Sequence, residues 1–416
     1  MAEAPLVIKQ PWIDAPATRV VMDALEDAGG PDSARFVGGC VRNAVLGKPI
    51  DDIDIATVLT PDQVMRALTD ADIRYAPTGV EHGTITAIAE GRPFEITTLR
   101  RDVATDGRRA VVAFSVDWVE DARRRDFRLN ALYMDMQGEV FDPLGHGVSD
   151  AKAGRIVFVG DPLTRIREDY LRILRFFRFQ AWYGRGDPDP AAVNACKALK
   201  GMLSGRSAER TSKELLKLLA AEDPRGAVGL MHTTGVLAAI LPEAGLDAFN
   251  ALIAIETGKL YENDPELRLA ALLPPAPTSA ARAAERLRLS NAQRDRLAAA
   301  LAAEPRIVAW LSERELRRAV YRVGVNTVHD RIKLAWAAAP QPKLASQWRK
   351  MLAHAESWAP PEFMLSGEDA MAAGLPQGQV IGKALQEVEE WWIDHDFPAD
   401  RALALAQLQR VALALQ

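Results

Sequence analysis

Apolar residues along the chain change their period near the middle of the sequence. Over residues 1 to 145 short runs with period two alternate with helical segments: "ARFVGG" reads as a strand ending in glycine, "DDIDIAT" alternates polar and apolar positions, and "GTITAIAEGRPFEITTLR" reads as a hairpin turned at Gly91. From about Pro162 onward the period is almost entirely helical, as in "LTRIREDYLRILRFFRFQAWY", "AERTSKELLKLLA", "ERELRRAVYRV" and "DRALALAQLQRVALAL". The pattern predicts an α+β fold: a small sheet domain followed by an all-α region. Proline-rich stretches at "LLPPAPTS", "AAPQPK" and "SWAPPEF" mark boundaries between groups of helices, and no fixed-length repeat appears, so the helical part is expected to be a packed bundle and not a solenoid.

Length and composition narrow this picture. A chain of 416 residues exceeds what one core usually serves, which predicts two to four sub-domains. A hydrophobic fraction of 48% with 26% charged residues is that of an ordinary globular protein. Cys40 and Cys196 stand far apart with no metal-binding spacing, the N-terminal residues lack a signal-peptide pattern, and no apolar run is long enough to span a membrane. A reducing, cytoplasmic setting with no membrane contact is expected. The formal net charge of −5 argues weakly against a general nucleic-acid binder, but "LRRDVATDGRR", "DARRRDFR" and "RIREDYLRILRFFRFQAWYGR" concentrate arginine between Arg100 and Arg185.

One segment carries chemistry in its spacing: "VGGCVRNAVLGKPIDDIDIA", from Val37. A strand running through Gly38 and Gly39 into a helix leaves backbone N–H groups free at a place where no side chain blocks a ligand, which suits phosphate. Arg42, just inside that helix, adds a forked, permanently charged donor. Asp52 and Asp54, two apart on a strand, leave the same face and suit a hard cation such as Mg2+. Two ions held there activate an attacking hydroxyl and neutralise a leaving pyrophosphate, which is the chemistry of nucleotidyl transfer. Taken singly, Gly-Gly is most often a plain turn and D-x-D a solvated loop; the case rests on their joint spacing.

"GGCVRNAVLG…DDIDIAT", "PTGVEHGTITAIAEGRPFEITTLRRDVATDGRR", "EDARRRDFRLNALYMD", "FDPLGHGVSDAKAGRIVFVG" and "REDYLRILRFFRF" follow one another in the order seen in the class II tRNA nucleotidyltransferase and poly(A) polymerase family. The chain resembles that family over about residues 35 to 220, most nearly the CCA-adding enzymes of bacterial and mitochondrial type. "KALKGMLSGRSAERTSKELLKLL" is similar to the family's neck helices and "MLSGEDAMAAGLPQGQVIGKALQEVEEW" to the C-terminal segment of its tRNA-specific members. The resemblance implies a nucleotidyltransferase head at 1–145 with a five-stranded sheet, a base-reading neck at 146–225, a helical body at 226–345 and a tRNA-binding helical tail at 346–416.

It also implies roles. Gly38, Gly39 and Arg42 hold triphosphate; Asp52 and Asp54 are the catalytic carboxylates and bind two Mg2+ ions. Arg125 contacts nucleotide, with Asp126 and Asn130 completing its motif and Asn130 near the sugar. Asp169, Arg172, Arg175 and Arg178 match the helix that reads the incoming base; their spacing of three puts Asp169 and Arg172 on one face while Arg178 has drifted round it, with the alternative of an amphipathic helix with solvated arginines. A carboxylate that only accepts and a guanidinium that only donates match the amine and ring nitrogen of cytosine and adenine, and leave uracil and guanine unpaired.

The expected activity is template-independent addition of C, C and A to the tRNA 3′ end from CTP and ATP, with no protein partner predicted; poly(A) addition and a non-catalytic RNA-binding relic are the alternatives. Two positions depart from the family. Asn43 stands where an aspartate usually follows the arginine, and Arg128 where a threonine usually follows "RRDF". Glu95 is either a third carboxylate or an arginine partner, His82 is structural or near the site, and His329-Asp330 and His395-Asp396 lack the extra ligands an HD metal site needs. "RRDVATDGRRAVVAF", Arg100 to Phe114, reads as a mobile loop beside the site or as a plain hairpin loop; the resemblance associates it with the switch from C to A.

Overall fold

The computed structural model describes residues 5–105, 110–204, 207–256 and 262–415. The chain forms two compact units, Met1–Pro242 and Glu243–Gln416.

The first unit opens with α1 (Pro16–Gly29), β1 (Ala34–Val37), α2 (Gly39–Leu46), β2 (Ile53–Thr57), α3 (Pro61–Asp70), β3 (Arg74–Gly79), β4 (Thr84–Ala89) and β5 (Arg92–Thr98). β6 (Arg100–Thr105), β7 (Ala110–Phe114), α4 (Trp118–Arg123), β8 (Tyr133–Met134) and β9 (Val140–Phe141) complete the sheet region. The main sheet has the order β3-β4-β5-β2-β1-β8-β9, with β2 parallel to β5 and the other pairs antiparallel. It has seven strands where five are expected, because the chain beyond Asn130 returns beside β1 as the two-residue strands β8 and β9. The hairpin is where the period-two pattern puts it: Glu90 and Gly91 have φ of 49° and 77°, the double positive-φ turn whose twist matches flanking strands.

The sheet separates its residues by alternation. Phe36, Ile53, Ile55, Phe94 and Ile96 pack with Val21, Met22 and Leu25 of α1 and Val64 and Leu68 of α3. Val37 and Ala56 belong instead to a second core with Leu99, Ala122, Ala131 and Tyr133. Asp54 and Glu95, flanked in sequence by the first set, therefore project with the second, and they stand opposite each other in the β2–β5 register.

Helices α5 (Gly147–Ala153), α6 (Pro162–Glu168), α7 (Arg172–Tyr183), α8 (Pro190–Leu199), α9 (Ala208–Leu219), α10 (Arg225–Thr234) and α11 (Val236–Ile240) follow within the same unit. α7 packs on α9 and α10, and its Ile173, Leu174, Phe176 and Phe177 are buried, with the Phe176 ring stacked on Phe158 at 6.0 Å. Helix starts are fixed locally: Asp161 caps α6 at Thr164 N, 2.7 Å, and Asp189 caps α8 at Ala192 N, 2.9 Å, each with proline at the first helical turn.

The second unit is helical: α12 (Asp247–Ile255), α13 (Pro265–Leu272), α14 (Pro277–Leu287), α15 (Asn291–Ala300), α16 (Glu313–Val323), α17 (Val325–Ala338), α18 (Ala345–Ser357), α19 (Gly367–Ala372), α20 (Gln379–Asp394) and α21 (Arg401–Leu415). One core gathers Leu316, Val320, Ile332, Trp336, Trp348 and Leu352, another Leu365, Ala384, Val388, Leu408 and Val411. No helix among the described residues is long and apolar enough to cross a membrane.

Candidate active site

A cleft of about 830 Å3 in the first unit is lined by Gly38, Gly39, Arg42, Asp52, Asp54, Arg125, Asn130, Arg175 and Arg178 among others. Gly38 caps α2 with φ 72° and ψ −114°, a region that L side chains avoid; a Cβ there would also lie 3.5 Å from Arg125 Nη1. The positive φ, and not a lack of room, is what calls for glycine here, since 3.5 Å is an ordinary contact.

β2 begins at Ile53, so Asp52 stands one residue before the strand and Asp54 within it. Among the described residues neither Asp52, Asp54 nor Glu95 makes a side-chain hydrogen bond or ion pair. Burial pushes the Asp54 carboxyl up to about 6, and the carboxylates of Glu95 and Asp52 add to the push against Arg125 and Arg42. Glu95 is therefore a neighbour of the pair and not an arginine partner. Among the described residues no three acidic, histidine or cysteine side chains converge as a ready metal cage. Unpaired, mutually repelling carboxylates suit Mg2+, which takes one or two protein carboxylates and completes its shell with water and substrate phosphate.

The cations are held in a continuous polar chain. Arg42 donates to Asn130 Oδ1 at 2.6 Å, Asn130 Nδ2 donates to Asp126 at 3.0 Å, and Asp126 accepts from Arg175 Nε at 2.8 Å. Glu214 of α9 then ion-pairs with Arg175 at 3.7 Å and Arg178 at 3.1 Å. Burial alone would raise the Asp126 carboxyl, but Arg175, Asn130 and the Phe127 amide outweigh it and hold it down at about 2. Arg125 is braced by Asp121, which accepts from Arg125 Nη2 at 2.9 Å and from Tyr133 OH at 2.7 Å. Asp121 is held at about 2 for the same reason, its burial outweighed by Arg125 and Arg124.

The two expected base readers stand apart from the cleft lining. Asp169 is not on the same helix as Arg172: it ends α6 in an extended conformation, φ −150° and ψ 106°, and α7 begins at Arg172. The shared-face argument fails because the helix is broken between them. Asp169 accepts from Leu171 N at 3.1 Å and from Arg210 Nη2 at 2.7 Å. Arg172 donates to Glu168 at 2.5 Å and to the carbonyls of Arg165 and Arg124 at 2.9 and 3.2 Å. Arg175 and Arg178, by contrast, lie on α7 and face the cleft.

Both departures from the family pattern are accommodated. Asn43 Oδ1 accepts from Arg42 Nη2 at 2.9 Å while its Nδ2 donates to Pro49 O at 2.7 Å. Arg128 Nε pairs with the buried Asp150 at 2.8 Å. The HD dipeptides are structural: Asp330 pairs with Arg296, Asp396 with Arg317, His329 meets Leu352 O and His395 meets Trp391 O. His82 is not among the cleft residues; its carbonyl accepts from Arg100. Residues 106–109 at the tip of the Arg100–Phe114 segment lie outside the described residues; its flanks pair as the separate two-stranded sheet β6–β7.

Sequence reasoning missed Asp121, Glu214 and Tyr183. Asp121 precedes Arg124 and Arg125 by three and four residues, a helical spacing that signals it. Tyr183 meets residues some 140 positions away, and nothing in the sequence signals that contact.

Two family models match, a poly A polymerase head domain over residues 34–157 and a probable RNA and SrmB-binding site of polymerase A over residues 187–246. Mouse CCA tRNA nucleotidyltransferase 1, mitochondrial, is 32% identical over 384 residues, spanning 90% of this chain and 86% of the mouse protein. The chain belongs to the CCA-adding nucleotidyltransferase family. The CCA-adding enzyme of Levilactobacillus brevis is 40% identical over 220 residues, 52% of this chain and 53% of that protein. Among solved structures, the Bacillus stearothermophilus CCA-adding enzyme in complex with CTP superposes with a TM-score of 0.76 at 24% identity, covering 96% of this chain and 99% of its own. The Thermotoga maritima CCA-adding enzyme complexed with tRNA superposes with a TM-score of 0.66 at 19% identity, over 98% of this chain and 97% of that one. This family member is therefore a nucleotidyltransferase, with the mixed sheet and helical region of the CCA-adding fold.

Proposed function

We propose that the protein adds C, C and A to the 3′ end of tRNA without a template, using CTP and ATP. The observation that carries this reading is the convergence in one cleft of the Gly38–Gly39 turn, four arginines and the unpaired Asp52 and Asp54, in a chain whose relatives carry that activity in their names. Gly38, Gly39 and Arg42 hold the triphosphate, and Arg125 and Asn130 orient the nucleotide. Asp52 and Asp54 hold Mg2+, in our reading two ions, with Glu95 shaping their field. Bound there, Mg2+ supplies an activated 3′ hydroxyl and neutralises charge on the leaving pyrophosphate. The tRNA 3′ oxygen forms a new bond to the α-phosphorus as the bond to the β-phosphate bridge breaks, and Arg42 with the α7 arginines faces the negative charge that pyrophosphate carries away.

Asp169 and Arg172 read the base: the carboxylate accepts from the exocyclic amine and the guanidinium donates to the ring nitrogen of C or A. Both are engaged elsewhere in this structure, so a nucleotide must displace Arg210 from Asp169 and Glu168 from Arg172. Residues 1–145, 146–225, 226–345 and 346–416 then serve as head, neck, body and tRNA-binding tail. We place the protein in the cytoplasm, in keeping with Cys40 and Cys196 being free and buried.

The test is to incubate a tRNA transcript lacking its last three nucleotides with each nucleoside triphosphate singly and then together. Two additions with CTP alone and three with CTP and ATP are expected. Long A tracts with ATP alone would replace this reading with poly(A) addition. Exchanging Val103 to Arg109 for a short Gly-Ser linker is expected to spare CMP addition and suppress the final AMP.

A further inference from the structure

Arg42 is an unusual buried cation. It is 7% exposed, yet among the described residues no carboxylate lies within ion-pairing distance of it. Its partners are all uncharged: Asn43 Oδ1 accepts from Nε at 3.2 Å and from Nη2 at 2.9 Å, Tyr183 OH accepts from Nη2 at 2.7 Å, and Asn130 Oδ1 accepts from Nη1 at 2.6 Å. A guanidinium has five N–H donors, so these four bonds leave one, on Nη1, without a protein acceptor. Burial pulls the Arg42 guanidinium below its ordinary range, though at neutral pH it stays charged. A desolvated cation held by neutral groups, with one donor free in a cleft, is prepared for an anion.

Tyr183 is the member that ties this shell to the rest of the cleft. It is the last residue of α7, and its hydroxyl accepts from Arg42 while donating to Asn43 Oδ1 at 3.2 Å. The Arg42 guanidinium lies over its ring at 4.2 Å, the Lys48 ammonium at 4.6 Å, and the ring stacks on Phe179 at 5.7 Å. The phenol therefore locks the Arg42 fork to the same helix that carries Arg175 and Arg178.

We propose that Tyr183 is a positioning residue for the triphosphate: its hydroxyl, together with the neutral Asn43, aims Arg42 without cancelling its charge. This rests on the reading that Arg42 holds the triphosphate. Tyr183→Phe keeps the ring contacts and removes only the hydroxyl. The expected result is a KM for CTP and for ATP raised alike by about threefold to tenfold, with kcat within about twofold, because the phenol acts on the phosphate only through Arg42. Equal effects are expected because both nucleotides share the triphosphate and differ only in the base. Asn43→Asp, which sets a carboxylate against Nε and Nη2 and loses the Asn43 Nδ2 bond to Pro49 O, is expected to weaken CTP and ATP binding alike, because it cancels the charge that the neutral shell preserves. Equilibrium binding of CTP without RNA, with Tm as the folding control, reports the same steps free of chemistry.

Arg42→Ala separates the two levels. If it raises KM while Tyr183→Phe leaves KM unchanged, the role of Tyr183 is overturned and the site reading stands. If Arg42→Ala leaves nucleotide affinity unchanged, the triphosphate role of Arg42 falls, and the proposal with it.

Discussion

The cleft of the first unit and the helical interior of the second bury charge in opposite ways. In the second unit Arg268 is fully buried and closed off by Glu256 at 2.7 Å and Asn263 at 3.1 Å. Arg296 is shared among Asp264, Glu266 and Asp330. Arg331, with no carboxylate beside it among the described residues, spends its donors on the carbonyls of Ala299, Glu304 and Pro305 and so stitches a loop. In the cleft, Arg42 has only neutral partners, Arg178 shares Glu214 with an Arg175 that also holds Asp126, and neither Asp52 nor Asp54 has a cation within ion-pairing distance among the described residues. A closed set of partners makes a buried charge structural, whereas an incomplete set facing a cleft leaves free energy available for a ligand.

The sharpest way to break this contrast is to orphan a charge on the structural side. Arg268→Ala leaves Glu256 buried and unpaired and is expected to cost about 3–5 kcal/mol of stability by denaturant unfolding. Arg178→Ala in the cleft is expected to cost only about 1–2 kcal/mol, since Glu214 keeps Arg175. Equal losses would erase the distinction.

The next effect is on activity and not on folding. Asp52→Ala or Asp54→Ala is expected to remove on the order of 3 kcal/mol or more of transition-state stabilisation, over a hundredfold in CMP addition. Because burial holds the Asp54 carboxyl up at about 6, its charge disfavours the metal-free fold at neutral pH, so Asp54→Asn is expected to match or exceed the parent in thermal stability. Near-parental transfer rates in either alanine variant would remove these carboxylates from the reaction.

A smaller change is expected in selectivity. Asp169→Ala should narrow the preference for C and A over U and G by about 1–3 kcal/mol, read as misincorporated UMP or GMP relative to CMP. Unchanged fidelity would assign base reading elsewhere, for instance to Arg175 and Arg178, which already face the cleft.

The smallest effects come from pH. Asp126 is depressed to about 2 in the fold, so its contribution, on the order of 2 kcal/mol, is present above the unfolded value near 4 and is lost as pH falls through about 2. Asp54 has the opposite sign: raised to about 6, it favours the metal-free fold below about pH 4, and that contribution is lost as pH rises through about 6. Unfolding free energies of Asp126→Asn and Asp54→Asn against the parent across this range should diverge from it in opposite directions.

Much of the site is legible in the sequence because it is local. The strand, the Gly38–Gly39 turn, Arg42 and the D-x-D pair lie within about twenty residues, where period and spacing alone set the geometry. Arg175 and Arg178 are legible only through the resemblance, since a spacing of three carries Arg178 round the helix from Arg172. The arrangement of Asp169 and Arg172 is not legible there, since a shared helical face assumes an unbroken helix where the chain becomes extended at Asp169. The one local signal is Asp169 itself, whose side chain accepts from Leu171 N as a residue ahead of a helix does.

The sequence by itself determined the two-part architecture, the β4–β5 hairpin, the Gly38–Gly39 turn into α2 and the placing of Asp52 and Asp54 at β2, because each depends on the conformational preferences of a few adjacent residues. Only the tertiary structure decided which charges are spent and which are free. Glu95 lies opposite Asp54 through strand register, Glu214 reaches Arg175 and Arg178 through the packing of α9 on α7, and Tyr183 reaches Arg42 across 141 positions of sequence. Hydrogen bonds and ion pairs act over a few ångströms of space, and a sequence sets such distances only where the chain between the partners is short.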